Sequence, residues 1–388
     1  MLDQTSGAAA PFTLDADQIA LRDMARAFAD EVFAPNALAW DEAKHFPVAE
    51  LRRAAALGMA GIFVAEDVGG SGLSRLAGTV IFEALATGCP TVAAYLSIHN
   101  MTAALIDVYG SAEQRRRWLP PLCSMDLLAG YCLTEPGVGS DAAALATRAA
   151  RDGDHYVLNG QKQFISGAGA ADLYLVMARS GGEGAGGISA FLVPRDAPGL
   201  SFGANERKMG WNAQPTRGVI FENVRVPAAD RLGPEGVGFK IAMTGLDGGR
   251  LNISACSLGG AQAALDKALA YMKERKAFGK RLEEFQALQF RVADMATELE
   301  AARTLLWRAA AALDRKDADS TALAAMAKRF VTDTAFAVAN QALQLHGGYG
   351  YLAEYGIEKI VRDLRVHQIL EGTNEIMRLI VARSLVGR

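Results

Sequence analysis

Hydrophobic positions along the chain change period twice. From Thr13 to about Leu127 they recur at helical spacing: in LDADQIALRDMARAFADEVFAPNA, residues Ile19, Leu21, Met24, Ala25, Phe28 and Val32 keep close to one face. Pro35 ends that helix, and further Ala- and Leu-rich helical stretches follow, divided by Gly69-Gly70 and Cys89-Pro90. Between about Ala129 and Val237 the runs shorten and become β-rich. HYVLNGQKQFIS reads as two strands turned at Asn159-Gly160, and ADLYLVMAR, GISAFLVPR and GVIFENVRVP read as further strands. No helix-length pattern separates them, which predicts an antiparallel unit and not βαβ crossovers. Beyond Phe239 the helical period returns. Leu288, Val292, Met295, Leu299, Ala302 and Leu306 mark one long amphipathic helix, and TALAAMAKRFVTDTAFAVANQALQLHGG is apolar on more than one side. The expected fold class is α+β and multidomain: helices over residues 1–128, an antiparallel, barrel-like β domain over 129–237, and a helical bundle over 238–388. The surplus apolar surface of the bundle predicts an oligomer.

Composition narrows the function classes. The 388 residues are 51% hydrophobic and 21% charged, with a net charge of -3. That balance supplies no basic surface for nucleic acid or for an anionic membrane, and no apolar run reaches the length of a membrane span. The 4 cysteines show no CxxC spacing and the 5 histidines no ligand spacing, so no metal site is expected. Reduced thiols and an N-terminal stretch MLDQTSGAAAPFTLDADQ without a basic residue predict a cytoplasmic protein.

Four stretches carry candidate chemistry. YCLTEPGVGSD gathers Tyr131, Leu133, Thr134, Gly139 and Ser140 in a glycine-rich loop that lets backbone approach a flat ring or a phosphate. Alone it is equally an ordinary turn. QKQFIS sets Phe164 and Ser166 on one strand face beside Ile165, suited to a ring with a polar edge or to plain strand packing. RKAFGKRLEEFQ joins Arg275 to Phe278, Phe285 and Gln286, and a guanidinium there can hold a pyrophosphate bidentately. LHGGYGY follows a helix and not a strand, so it is no dinucleotide fingerprint by itself.

Taken in this order across an α-β-α chain, these stretches and ILEGTNEI resemble the acyl-CoA dehydrogenase family from about Leu14 to Val386. The resemblance implies a homotetramer with one FAD per subunit, bound between β domain and bundle. Tyr131 to Ser140 and Phe164 to Ser166 would surround the flavin. Arg275, Phe278, Phe285, Gln286 and Gln344, Leu345, His346, Gly347 and Gly348 would reach the cofactor of a neighbouring subunit. Thr373, Asn374 and Glu375 would close the cofactor site. Ser140, Asp247, Gly248, Gly249, Arg250, Gly372 and Arg383 would contact an acyl-CoA substrate. An electron-transfer flavoprotein is the implied electron acceptor.

One carboxylate stands out in HQILEGTNEIMR. Glu371 precedes a Gly-Thr-Asn segment that reads as a helix end, where the macrodipole disfavours an anion. The resemblance makes it the base that removes the α-proton of the thioester while a hydride leaves the β-carbon for the flavin. Burial against Ile369 and Leu370 is expected to raise its pKa. Some branches of the family place the base one residue before the arginine of a motif like LDxER; here the motif is LDGGR, with Gly249 at that place. TVAAYLSIHN carries no cation for a dicarboxylate substrate. The stretches SGLSRL, AYLSIHNM, GWNAQPTR, LNISACSLG and RVHQILEG resemble a branch of the family acting on short branched-chain thioesters, and that resemblance implies desaturation of isobutyryl-CoA to methacrylyl-CoA, in valine breakdown. Asp247 stands where that branch has Asn. Butyryl-CoA or 2-methylbutyryl-CoA is the alternative substrate, and a non-catalytic acyl-CoA-binding scaffold the alternative class.

Overall fold

The computed structural model describes residues 13–387. Residues 1–12, on which most of the leader-free reading rests, and residue 388 lie outside them.

Helix α1 (Ala16–Phe28) starts at a reciprocal cap. The Asp15 carboxylate accepts the Gln18 N–H at 2.8 Å, and Gln18 Oε1 accepts the Asp15 N–H at 3.1 Å, which satisfies two donors the helix itself cannot. The chain widens into a π-helical turn over Ala29–Phe33 and leaves the helix just before Pro35. Helices α2 (Ala37–Ala43), α3 (Val48–Ala55), α4 (Arg75–Ala86), α5 (Pro90–Tyr109) and α6 (Ala112–Cys123) follow. Pro90 opens α5 at a position where a missing N–H costs nothing. Nearly every residue of α5 from Pro90 to Ile106 is buried.

The middle layer is one sheet built from β1 (Ala129–Cys132), β2 (Arg148–Asp152), β3 (His155–Ser166), β4 (Leu173–Arg179), β5 (Ile188–Pro194), β6 (Leu200–Phe202), β7 (Thr216–Pro227) and β8 (Arg231–Leu232). Its order is β6-β7-β3-β2-β4-β5-β8, with β1 also on β4. The pairs are antiparallel except β1 with β4 and the brief contact of β2 with β4, both parallel. The predicted Asn159-Gly160 hairpin is not there. Both residues lie inside the continuous strand β3, at a register shift between Leu158 and Gly160. Gly160 has φ +144, and a Cβ on it would stand 2.7 Å from the Thr147 backbone. The glycine is needed for close approach of backbone and not for a turn. Asn159 instead pairs with Asn223 across to β7.

The third layer begins with α7 (Gly238–Glu274), passes a small hairpin of β9 (Lys276–Ala277) and β10 (Lys280–Arg281), and returns through α8 (Gln286–Asp314) and α9 (Ser320–His346). Two shorter helices, α10 (Ile357–Arg365) and α11 (Asn374–Val386), complete it. Helices α4 and α5 pack on α7, so the bundle and the N-terminal helices share a core.

Buried polar groups join the three layers. Asp363 accepts the Thr91 hydroxyl of α5 at 2.9 Å, the Trp211 N–H at 2.7 Å and the Lys359 ammonium at 2.6 Å. His99 of α5 accepts the Ala129 N–H on Nδ1 at 3.1 Å, which makes Nε2 the donor to the Leu122 carbonyl at 2.9 Å. Together these links fix where α10 and the start of the sheet meet the rest of the molecule.

Candidate active site

The stretch around Glu371 lies between two helices and does not close one. α10 ends at Arg365, a single turn spans Val366–Gln368, and Thr373 caps the start of α11 by accepting the Ile376 N–H at 3.4 Å. The Gly-Thr-Asn segment is therefore a helix beginning, whose dipole favours a nearby anion. This corrects the unfavourable placement expected from the sequence. Glu371 has φ +57 and Gly372 φ +87, so a non-glycine residue is held in the left-handed region at a cost of about 1–2 kcal/mol. Such strain persists only where the surroundings hold it.

Three helices hold it. Arg250 of α7, almost wholly buried, donates Nε–H to the Glu371 carbonyl at 3.3 Å and Nη1–H to Asp247 at 2.6 Å. Lys328 of α9 donates to the Gly372 carbonyl at 2.8 Å and to Asn374 Oδ1 at 2.9 Å. The Asn374 amide of α11 donates to Thr332 and Asp333. Glu371 itself is half-buried, but its Oε2 is sealed from solvent and has no hydrogen-bond partner. Burial pushes its carboxyl up to about 7, against the opposing pull of Arg250 and Lys328. A carboxylate with that pKa is poised to accept a proton near neutral pH. Gly249 makes room for it: a Cβ there would stand 2.5 Å from Glu371 Oε2. Ile369, expected to help bury the carboxylate, is exposed, and only Leu370 packs on the core.

Tyr131 on β1 carries its hydroxyl buried and unpaired toward the same region, and the charge of Glu371 is among the influences that raise its pKa. The loop after β1 is anchored by a buried pair. Lys162 of β3 donates to Glu135 at 2.8 Å and to the Leu133 carbonyl at 3.0 Å, while Glu135 accepts the Ala146 and Thr147 N–H groups. The Thr134 carbonyl accepts the Gln163 N–H at 2.8 Å. Leu133 and Ile165 are buried in the core. Gly139 and Ser140 are exposed. Phe164 adopts φ +59 and leaves its ring 63% exposed beside half-buried Ser166. Gln214 donates to Ser166 Oγ at 3.4 Å and keeps its Oε1 buried and unpaired.

A second cluster lies at the other end of the bundle. Arg275, Leu282, Leu288, Gln344 to Tyr349 and Leu352 line a cleft of about 510 Å³. The Arg275 guanidinium stands 5.3 Å from the centre of the Tyr349 ring, and His346 stacks on Tyr271 at 4.6 Å. Gly347 and Gly348 face open space. Phe278, at φ +50 and 96% exposed, packs edge-on to Phe285, while Gln286 starts α8 in solvent. Asp247 and Gly248 lie on α7 beside Arg250. Asp247 also accepts the Thr321 hydroxyl at 2.8 Å, and a Cβ on Gly248 would meet Arg75. Arg383 and Glu375 are exposed on α11, and the Asn374 amide is spent on protein partners.

The sequence reading missed Lys162, Lys328, Gln214 and the pair Trp211–His367, in which the indole N–H donates to the imidazole at 3.1 Å. Lys328 had a visible signal, as one of two adjacent cations, with Arg329, interrupting the apolar run ALAAMAKRFV.

Comparison with known proteins accounts for this arrangement. Three family models match in chain order: the acyl-CoA dehydrogenase N-terminal domain over residues 15–126, the middle domain over 130–224 and the C-terminal domain over 236–386. The mitochondrial isobutyryl-CoA dehydrogenase of Bos taurus is 55% identical over 96% of this chain and 90% of its own length. That of Dictyostelium discoideum is 56% identical over the same shares. The structure of butyryl-CoA dehydrogenase from Megasphaera elsdenii superposes with a TM-score of 0.94 at 38% identity, covering 97% of this chain and 99% of that one. The two mitochondrial relatives overturn the cytoplasmic expectation. The cysteines, all four free and buried, do not decide the compartment. With all three of its layers matched, the chain belongs to the acyl-CoA dehydrogenase family and is an oxidoreductase acting on acyl-CoA.

Proposed function

We propose that this enzyme desaturates a short branched-chain thioester, isobutyryl-CoA to methacrylyl-CoA, with Glu371 as the base. The observation that carries this reading is the sealed, unpaired Glu371 Oε2, raised to about 7 and seated on Gly249. The α-proton of a thioester is weakly acidic, so a base stripped of solvation fits the task better than an exposed Glu. The identity to isobutyryl-CoA dehydrogenases supports the branched acyl group. In this reading Arg250 orients the Glu371 backbone, Asp247 steadies Arg250, and Glu371 takes the proton from Cα.

The acyl-CoA dehydrogenase family is flavin-dependent, and the residues present fit FAD. Exposed Phe164, half-buried Ser166 and the unpaired Gln214 Oε1 offer a stacking face and polar partners for a ring with a polar edge. Arg275 and the open backbone at Gly347 and Gly348 suit a diphosphate. When bound, FAD would supply the acceptor for the hydride lost from the β-carbon. Tyr131 to Ser140 and Phe164 to Ser166 would hold the ring. The Arg275–Gly348 cleft, with Phe278, Phe285 and Gln286, would serve the cofactor of a second subunit in a homotetramer. The exposed Phe278 and Tyr351 support burial against another copy. Electrons must then leave the enzyme, and an electron-transfer flavoprotein is the proposed acceptor.

The test is anaerobic mixing of the purified enzyme with isobutyryl-CoA, butyryl-CoA and 2-methylbutyryl-CoA in turn, following flavin absorbance. Rapid bleaching by isobutyryl-CoA above the other two is expected. Preference for butyryl-CoA would overturn the branched assignment, and no bleaching by any of them would overturn the reaction.

A further inference from the structure

Lys328 lies in the middle of α9, and its side chain is wholly buried. Burying an ammonium is costly unless it is paired. Its hydrogen bonds go to two neutral oxygens, the Gly372 carbonyl and Asn374 Oδ1. No carboxylate lies within ion-pair distance of it among the described residues. Arg250, the other cation near the site, has its own counter-ion in Asp247 at 2.6 Å. The carboxylate that does most to keep Lys328 charged is Glu371, and burial holds the ammonium down to about 8. The influence is reciprocal, because Lys328 also stabilises the ionised form of Glu371. The bond to the Gly372 carbonyl also pins the backbone at the residue after the left-handed Glu371.

We propose that Lys328 is a positioning residue for the base. It locks the left-handed Glu371–Gly372 backbone against α9 and brings to the carboxylate a buried positive charge that is in no ion pair of its own among the described residues. This rests on Glu371 being the base. The groups that act on Glu371 are Arg250 from α7, Lys328 from α9 and the Tyr131 hydroxyl from β1; Asp247 of α7 pairs with Arg250, and Asp333 of α9 and Glu375 of α11 act on Lys328. His367, on the turn before it, is held neutral with its pKa lowered to about 3, by burial first and by Lys328 second. Among these, Lys328 is the cation without a carboxylate of its own. The simpler reading, in which Lys328 merely stitches α9 to α11 through Asn374, predicts lost stability and nothing else.

The experiment uses the holoenzyme with Lys328→Met, Lys328→Gln and Thr332→Val. Gln keeps a donor for the Gly372 carbonyl without charge; Thr332→Val loosens the same α9–α11 stitch through Asn374 and leaves the charge in place. Two readouts are taken: the Glu371 carboxyl midpoint by isotope-edited infrared titration, assigned with Glu371→Gln, and the pH profile of flavin bleaching by isobutyryl-CoA. Both Lys328 variants are expected to move the carboxyl midpoint upward from near 7 by about one unit, as loss of a neighbouring opposite charge does. The bleaching profile should follow. Met should also slow bleaching at saturating pH, where Gln slows it less. Thr332→Val should lower the melting temperature and leave the midpoint in place. An unmoved midpoint in the folded Lys328→Gln enzyme would overturn the proposal and leave only the stitch. If Lys328→Met does not fold, Lys328→Gln alone decides. Undiminished bleaching by Glu371→Gln would instead overturn the base assignment.

Discussion

The Glu371 loop and the Arg275 cleft are built on opposite plans. At Glu371 the polar atoms are buried, the backbone is strained, and three helices of one chain supply every support. At Arg275 the charge is exposed, the aromatics face outward, and glycines leave room that nothing in this chain fills. One region is supported within the protomer, and the other is left open on its surface. A reacting group needs desolvation and fixed geometry, which a single packed core provides. The proposed cofactor and subunit contacts at Arg275 would instead need groups that this chain leaves free.

Glu371→Gln should produce the largest effect and break the first half of the comparison. It keeps size and burial but removes the base, so the rate of substrate-driven bleaching should drop about 10³-fold. The protein should stay yellow and still bind isobutyryl-CoA in equilibrium titrations. Wild-type bleaching should rise tenfold per pH unit up to about pH 7 and then level off, because the carboxyl must be ionised to act. The sign for stability is opposite. The folded pKa of Glu371 is raised, so its contribution is fully present below the unfolded value of 4.5 and is lost as pH rises through 7.

Gly249→Ala should come next. Its methyl group would meet the Glu371 carboxylate, which must swing away. Bleaching should slow roughly 10- to 100-fold, as expected when a reacting group is misplaced by a fraction of an ångström to an ångström. Circular dichroism and flavin content should be unchanged. Arg275→Ala should have the smallest effect on the chemical step and sharpen the second half. Flavin release on dilution should increase about 10-fold, the scale of one lost charge-assisted hydrogen bond. The bleaching rate of the enzyme that retains flavin should hold.

Periodicity made the three layers legible, because long amphipathic helices and short β-rich runs differ in period over many residues. Asn159-Gly160 misled because local turn chemistry and close backbone packing use the same residue, and only the approach of Thr147 separates them. The helix direction at Glu371 misled for a related reason. Gly-Thr-Asn can end one helix or cap the next, and the choice is made by where α11 packs. Glu371 was singled out through its motif, and its role as base is a proposal that its burial supports. Lys328, Lys162 and Gln214 were not assigned, since a buried polar residue reveals its role only through partners 27 to 48 positions away in the chain.

The Asp363 junction has a consequence for how this architecture can change. Its carboxylate is shared among α5, the segment carrying Trp211 and α10, so lifting out a layer strips the buried Lys359–Asp363 pair of a neutral donor it uses. Chimeras that exchange one layer with a distant relative would inherit an under-bonded ion pair unless the Thr91 and Trp211 donors came along. The three layers are thereby coupled at one buried pair, and edits along α7, which does not bond to it, leave that coupling intact.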